Sequence, residues 1–263
     1  MTAAEPSRDP ALPELLRYAE LSVEGRLPTA SNLTLRCTIE GTQLRCVYKP
    51  TAGERPLWDF PDGSLGSREV ATYEISTALD WDVIPLTVWR AEGPFGPGMC
   101  QVWLEEASAD ALVDVVSSDS IPADWYRVFD GVDNRGREVS LVHANRLDLQ
   151  RIALLDAVVN NADRKGGHLL VDALGAARGI DHGVTFAEEG KLRTVLWGWA
   201  GEEIPQGYLA DLAELLERLP TLPLIGLTDA EIVATADRIT ALLDTAVFPV
   251  PNDEWPAIPW PIF

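Results

Sequence analysis

Apolar and polar residues alternate with a period of two over Leu33–Glu40 and again over Gln43–Lys49. Leu33, Leu35, Cys37 and Ile39 share one face with Leu44, Cys46 and Tyr48, while Thr34, Arg36, Thr38, Gln43, Arg45, Val47 and Lys49 share the other. With Gly41-Thr42 as the turn this is a β-hairpin, and Cys37 then faces Cys46 across it. Upstream, the pattern predicts a short helix over Pro13–Glu20, a strand at Leu21–Val23 and the turn-rich stretch GRLPTASN, with residues 1–10 expected to lack order. Downstream come a Pro/Gly-rich loop over Pro50–Gly63, then a helix over Ser67–Leu79 with Val70, Tyr73, Ile75 and Leu79 at a loose helical period. Leu86–Trp89 and Met99–Leu104 make a second hairpin across GPFGPG. Residues 21–104 therefore read as one small antiparallel lobe with a helix, preceded by an N-terminal extension over 1–20.

From Glu105 the pattern changes. Helices are predicted over Asp110–Val116, Leu147–Asn161, Tyr208–Leu219 and Thr228–Val247, the last opened by Thr228 and Glu231 in capping-box spacing. Ile121–Val142 reads as mixed structure and Val184–Gly207 as irregular. A short strand at Leu169–Val171, a turn at Gly175 and a second strand ending at Asp181 complete residues 105–263. Recurrent prolines in PNDEWPAIPWPIF exclude helix and central strand, so this tail is expected to dock its two tryptophans on the body.

Composition narrows the partners. The net charge of −20 repels nucleic-acid phosphates and anionic lipid headgroups, which argues against nucleic acid and membrane insertion but leaves room for an anion in a local basic pocket. No apolar run is long enough to span a bilayer, the first residues show no signal-peptide pattern, and three cysteines suit a reducing compartment, so the expected location is cytoplasmic. Of 21 basic residues only Lys49, Lys165 and Lys191 are lysine. A chain that defaults to arginine but ends a strand on Lys49 has reason to want a compact point charge there, though a solvated strand-end lysine is the plainer alternative.

The densest chemistry lies in NNADRKGGHLLVDALGAARGIDHG, residues 160–183. An apolar helical run delivers the chain to Asp163, and a hairpin then separates His168 from Asp181. Two carboxylates and an imidazole at the ends of a hairpin suit a metal held beside a proton acceptor.

Taken in order, VYKP, REVA, NADRKGGH and DHG resemble the phosphatidylinositol-kinase-like branch of the protein-kinase-like superfamily. The likeness is to a group of actinobacterial proteins and, more distantly, to HipA-type kinases, and it spans about residues 20–247. It implies an α+β, two-lobed protein-kinase-like fold, with a small antiparallel β-rich N-lobe bearing one helix and a mainly helical C-lobe. It implies an ATP-dependent phosphotransferase that moves the γ-phosphoryl group to a hydroxyl acceptor, a soluble small molecule or protein rather than a lipid, with Mg or Mn as cofactor. On this resemblance Lys49 holds the α/β-phosphates, Glu69 pairs with it, Asp163 orients or deprotonates the acceptor, and Asp181 holds the metal. His168 stands where such folds carry Asn and becomes a second metal ligand or a structural residue. No G-x-G-x-x-G precedes Lys49, so Ser31 and Asn32 would meet the phosphates instead. Val47 lies on the face of Lys49, and the adenine is expected against the backbone near Leu104–Glu106. The missing glycine loop and the His-for-Asn exchange leave open a nucleotide-binding pseudokinase, or an enzyme that transfers AMP on the same fold.

Overall fold

The computed structural model describes residues 10–28, 30–60, 64–105, 112–252 and 255–263. Five antiparallel strands form the first sheet: β1 (Leu21–Arg26), β2 (Leu35–Ile39), β3 (Arg45–Pro50), β4 (Thr87–Arg90) and β5 (Gly98–Val102), in the order β1-β2-β3-β5-β4. The alternation in β2 and β3 fixes their register. Leu35 pairs with Tyr48 and Cys37 with Cys46, and all four side chains are buried. Gly41 turns the hairpin at φ +76°, where a side chain would be strained. The three cysteines are free thiols in this sheet's core. A short helix, α1 (Leu12–Tyr18), buries Leu12 and Leu16 in the same cluster, and its end is held by the Arg90 guanidinium, which donates to the carbonyls of Leu16 and Ala19.

The helix that follows β3, α2 (Leu65–Ala78), starts two residues earlier than the pattern suggests. Ser64 and Ser67 cap it reciprocally, and the Glu54 carboxylate accepts from the N–H groups of Leu65 and Gly66 at 2.9 Å each. Its Ala71 and Ile75 belong to the larger core, together with the apolar sides of α3 (Leu147–Val158), α4 (Gln206–Arg218) and α5 (Asp229–Thr245). Thr228 and Glu231 form the expected capping box on α5. The result is an α+β two-lobed kinase-like fold in which α2 packs between the lobes.

Two expectations need correction. Val113–Ser117 is not helical but a strand, β6, and the mixed region holds β7 (Trp125–Val132) and β8 (Glu138–Ala144), giving a sheet of order β6-β8-β7. Its β-branched residues pair with β8, and that pairing overrides a local spacing which mimics a helix. The start of that predicted helix, through Ala111, lies outside the described residues. In the tail, Trp255 docks while Trp260 stays 84% exposed. The last hairpin, β9 (Leu169–Val171) with β10 (Ala177–Gly179), turns at Gly175 as expected. Among the described residues no helix is long and apolar enough to cross a membrane.

Candidate active site

Lys49 leaves the end of β3 and meets two carboxylates. Its Nζ lies 2.8 Å from Glu69 Oε1 on α2 and 2.8 Å from Asp181 Oδ1, just past β10. Burial opposes the Lys49 charge, but Asp181 and Glu69 outweigh it and hold the ammonium above its ordinary pKa. One ammonium cannot neutralise two acids equally. Glu69 is the buried one, and burial pushes it up to about 7 in spite of Lys49. The Asp181 side chain is 50% exposed and is held well below the usual range, first by Lys49. Its backbone sits at φ +58°, an uncommon conformation for a residue with a side chain. The following Gly183 lets the chain pass close under α2, because a Cβ there would come within 3.2 Å of Leu65.

His168 brings Nε2 to 3.5 Å from Asp181 Oδ2, while its Nδ1 is buried without a hydrogen-bond partner. Burial lowers its pKa and the Arg164 charge adds to that, against the pull of Asp181, so the ring favours the neutral form that ligates metals. Glu69 Oε2 and His182 Nδ1 are also buried without a partner.

Asp163 is positioned from both sides. Its N–H donates to Asn161 Oδ1 at 3.0 Å, Ala162 N–H donates to Val184 O, and Arg164 N–H donates to Arg193 O. Arg164 makes two bonds to Asp156, through Nε at 2.8 Å and one terminal nitrogen at 2.9 Å. Its other terminal nitrogen reaches Ile180 O at 2.9 Å, and His182 Nε2 packs against the guanidinium. The loop carrying Asp163 and the turn carrying Asp181 are thus tied to one buried arginine. Burial and the Arg164 charge keep His182 neutral, well below its ordinary pKa.

The structure therefore brings together Lys49, Glu69, Asp181 and His168, with Asp163 on the adjoining loop. Val47 lies on β3 two residues before Lys49, paired with Gln101, and Leu104 follows β5 half-buried. Ser31 is exposed, and Asn32 spends its Oδ1 on the Arg55 N–H. Glu106 lies outside the described residues. The sequence pattern assigns no site role to Lys165, whose Nζ sits 3.1 Å from Asp163 Oδ2, nor to Asp156, Asn161 and Arg164. One signal was available: Asp156 is a lone acid inside the apolar run Ile152–Val159.

No family model matches the chain. It is 43% identical over 269 residues to Protein Rv2133c of Mycobacterium tuberculosis strain H37Rv, covering 95% of this chain and 94% of that one. Two solved structures of the Golgi casein kinase share its fold at 14% identity and cover 89% of this chain. One aligns at a TM-score of 0.55 over 73% of the kinase chain; the other, with Mn and ADP bound, aligns at 0.57 over 74%.

Proposed function

The chain belongs to one family with Protein Rv2133c, and we propose that it is an ATP- and metal-dependent phosphotransferase of the phosphatidylinositol-kinase-like and HipA-like branch, acting on a hydroxyl acceptor. The observation that carries this reading is the Lys49 ammonium shared between buried Glu69 and half-exposed Asp181. It leaves a half-exposed carboxylate beside a fixed positive charge. Nucleotide binds between residues 21–104 and 105–263. Val47 and Leu104 flank the adenine, Ser31 and Asn32 approach the phosphates from the β1–β2 loop, and Lys49 takes the α/β-phosphates. The donor set fits a divalent ion: Asp181 oxygen and neutral His168 nitrogen lie near enough to share one. Among the described residues no three acidic, His or Cys side chains form a metal site by themselves, so phosphate oxygens would supply the remaining ligands. When bound, Mg or Mn would neutralise charge on those oxygens.

Asp163 then orients the acceptor. Lys165 holds Oδ2, leaving Oδ1 to accept the hydroxyl proton as the acceptor's hydroxyl oxygen bonds to the γ-phosphorus. The bond from the γ-phosphorus to the β–γ bridging oxygen breaks, and ADP leaves with the bond's electron pair. Three unpaired thiols, with Cys37 and Cys46 in register, suit a reducing cytoplasm. The test separates the two acids. Asp163→Ala should abolish turnover while calorimetry shows Mn–ATP binding nearly unchanged, whereas Asp181→Ala should lose the metal-dependent part of the affinity. Equal loss of affinity in both variants contradicts these roles.

A further inference from the structure

The segment 255–263 lies against the backbone that carries Asp163. Ala257 O accepts both Thr194 N–H at 3.0 Å and Trp197 Nε1–H at 2.8 Å. Five residues on, Ile262 O accepts Gly166 N–H at 2.8 Å, three residues from Asp163. The Phe263 ring covers Gly166 so closely that a Cβ there would overlap it. Pro259 is buried, and Ile258 and Ile262 pack on the main core. The segment is held at Ala257–Pro259 and at Ile262, while Trp260 between them stays exposed.

A second contact pins its beginning. Lys191 lies among the rings of Trp255, Trp58 and Phe60 at 5.1, 5.5 and 5.6 Å, with Glu189 and Asp59 carboxylates at 3.5 and 3.6 Å. Trp58 and Phe60 come from the loop after β3, whereas Lys191 comes from the strip 184–193, whose carbonyls receive the N–H groups flanking Asp163. One lysine therefore clasps the N-lobe loop, that strip and the segment 255–263.

We infer that segment 255–263 walls the acceptor side of Asp163, so that the hydroxyl delivered there belongs to a small molecule and not to a Ser or Thr of a polypeptide. This rests on the phosphotransfer reading above. A Ser or Thr hydroxyl sits one carbon from its backbone, so a polypeptide acceptor must bring its main chain beside Asp163. Three extended residues need roughly 10 Å of free edge, and extended peptides gain their affinity from backbone hydrogen bonds to such edges. Here Gly166 and Thr194 have already given their backbone N–H groups to the chain's own carbonyls, and the Trp197 indole N–H shares the Ala257 carbonyl.

Hydrogen exchange tests this on the full chain, with and without Mn and a non-hydrolysable ATP analogue. The Gly166 and Thr194 amides should exchange at least about a hundredfold more slowly than in the unfolded chain. They should stay protected when a degenerate Ser/Thr peptide mixture is added at millimolar concentration, and the same mixture with labelled ATP should take up no phosphate. Phe263→Ala, which removes a half-exposed ring, should lower Gly166 protection about tenfold and leave Thr194 unchanged. Unprotected amides, protection lost on adding peptide, or peptide phosphorylation each overturns the inference. Failure of the phosphotransfer reading would show separately, as absence of Mn–ATP binding with the amide protection intact.

Discussion

Two charged clusters flank the loop that carries Asp163, and they are built on opposite rules. In the Asp156–Arg164 cluster both side chains are fully buried, and Arg164 is ringed by the two Asp156 oxygens, the Ile180 carbonyl and His182. The Lys49–Glu69–Asp181 cluster carries one positive charge for two carboxylates, half-exposes one of them and leaves Glu69 Oε2 without a partner. A saturated buried pair is costly to break, since losing one partner strands a charge in the core. An unsaturated pair at a cleft keeps capacity for a ligand. The chain thus saturates the Asp156–Arg164 pair and leaves Lys49, Glu69 and Asp181 with charge to spare.

The contrast breaks most visibly at Arg164. Arg164→Met should cost about 3–5 kcal/mol in denaturant unfolding, because Asp156 loses its partner inside the core. Lys49→Met should cost clearly less, because Glu69 already sits near neutrality and can take up a proton. Equal costs would erase the distinction between the clusters.

His143 offers a second saturated site away from the cleft. Its Nδ1 faces Ala144 O, its Nε2 accepts the Gly198 N–H at 3.0 Å, and burial lowers its pKa to about 4. The unfolded chain would protonate it near 6.5, so the neutral ring's contribution is complete above about 6.5 and is lost as pH falls through 4. The shift of about 2.5 units corresponds to about 3 kcal/mol. The stability gap between the protein and His143→Gln should therefore narrow as unfolding is measured from pH 7 down to pH 4. A gap independent of pH would mean that His143 does not titrate as described.

At the open cluster the effect appears as ligand stabilisation. Mn–ATP at about 100 times its dissociation constant should stabilise the fold by about 2.7 kcal/mol. Thermal shift should register this in the protein and should lose most of it in Lys49→Ala.

What the sequence disclosed follows the same division. Lys49 was legible because strict alternation fixes both strand and face, and Asp163, His168 and Asp181 because a short hairpin holds them within 19 positions. The Arg164–Asp156 pair was not, because its meaning lies in burial: an Arg beside an Asp in a loop looks like an exposed residue until the core closes over it. The β6 strand was misread because Leu112, Val113, Val115 and Val116 fall at spacings that fit a helix, and only pairing with β8 decides the matter. Lys165 stands out as one of three lysines, but its role stays hidden because nothing local marks a lysine that reaches back two residues to Asp163.

The central claim, that Lys49, Asp163 and Asp181 carry phosphoryl transfer from ATP, is tested most directly by separating the nucleotides after incubation with ATP and Mn beside a small-molecule fraction of a cell extract. ADP should accumulate with the protein and not with Asp163→Ala. AMP with pyrophosphate, or ATP left intact, would contradict the account.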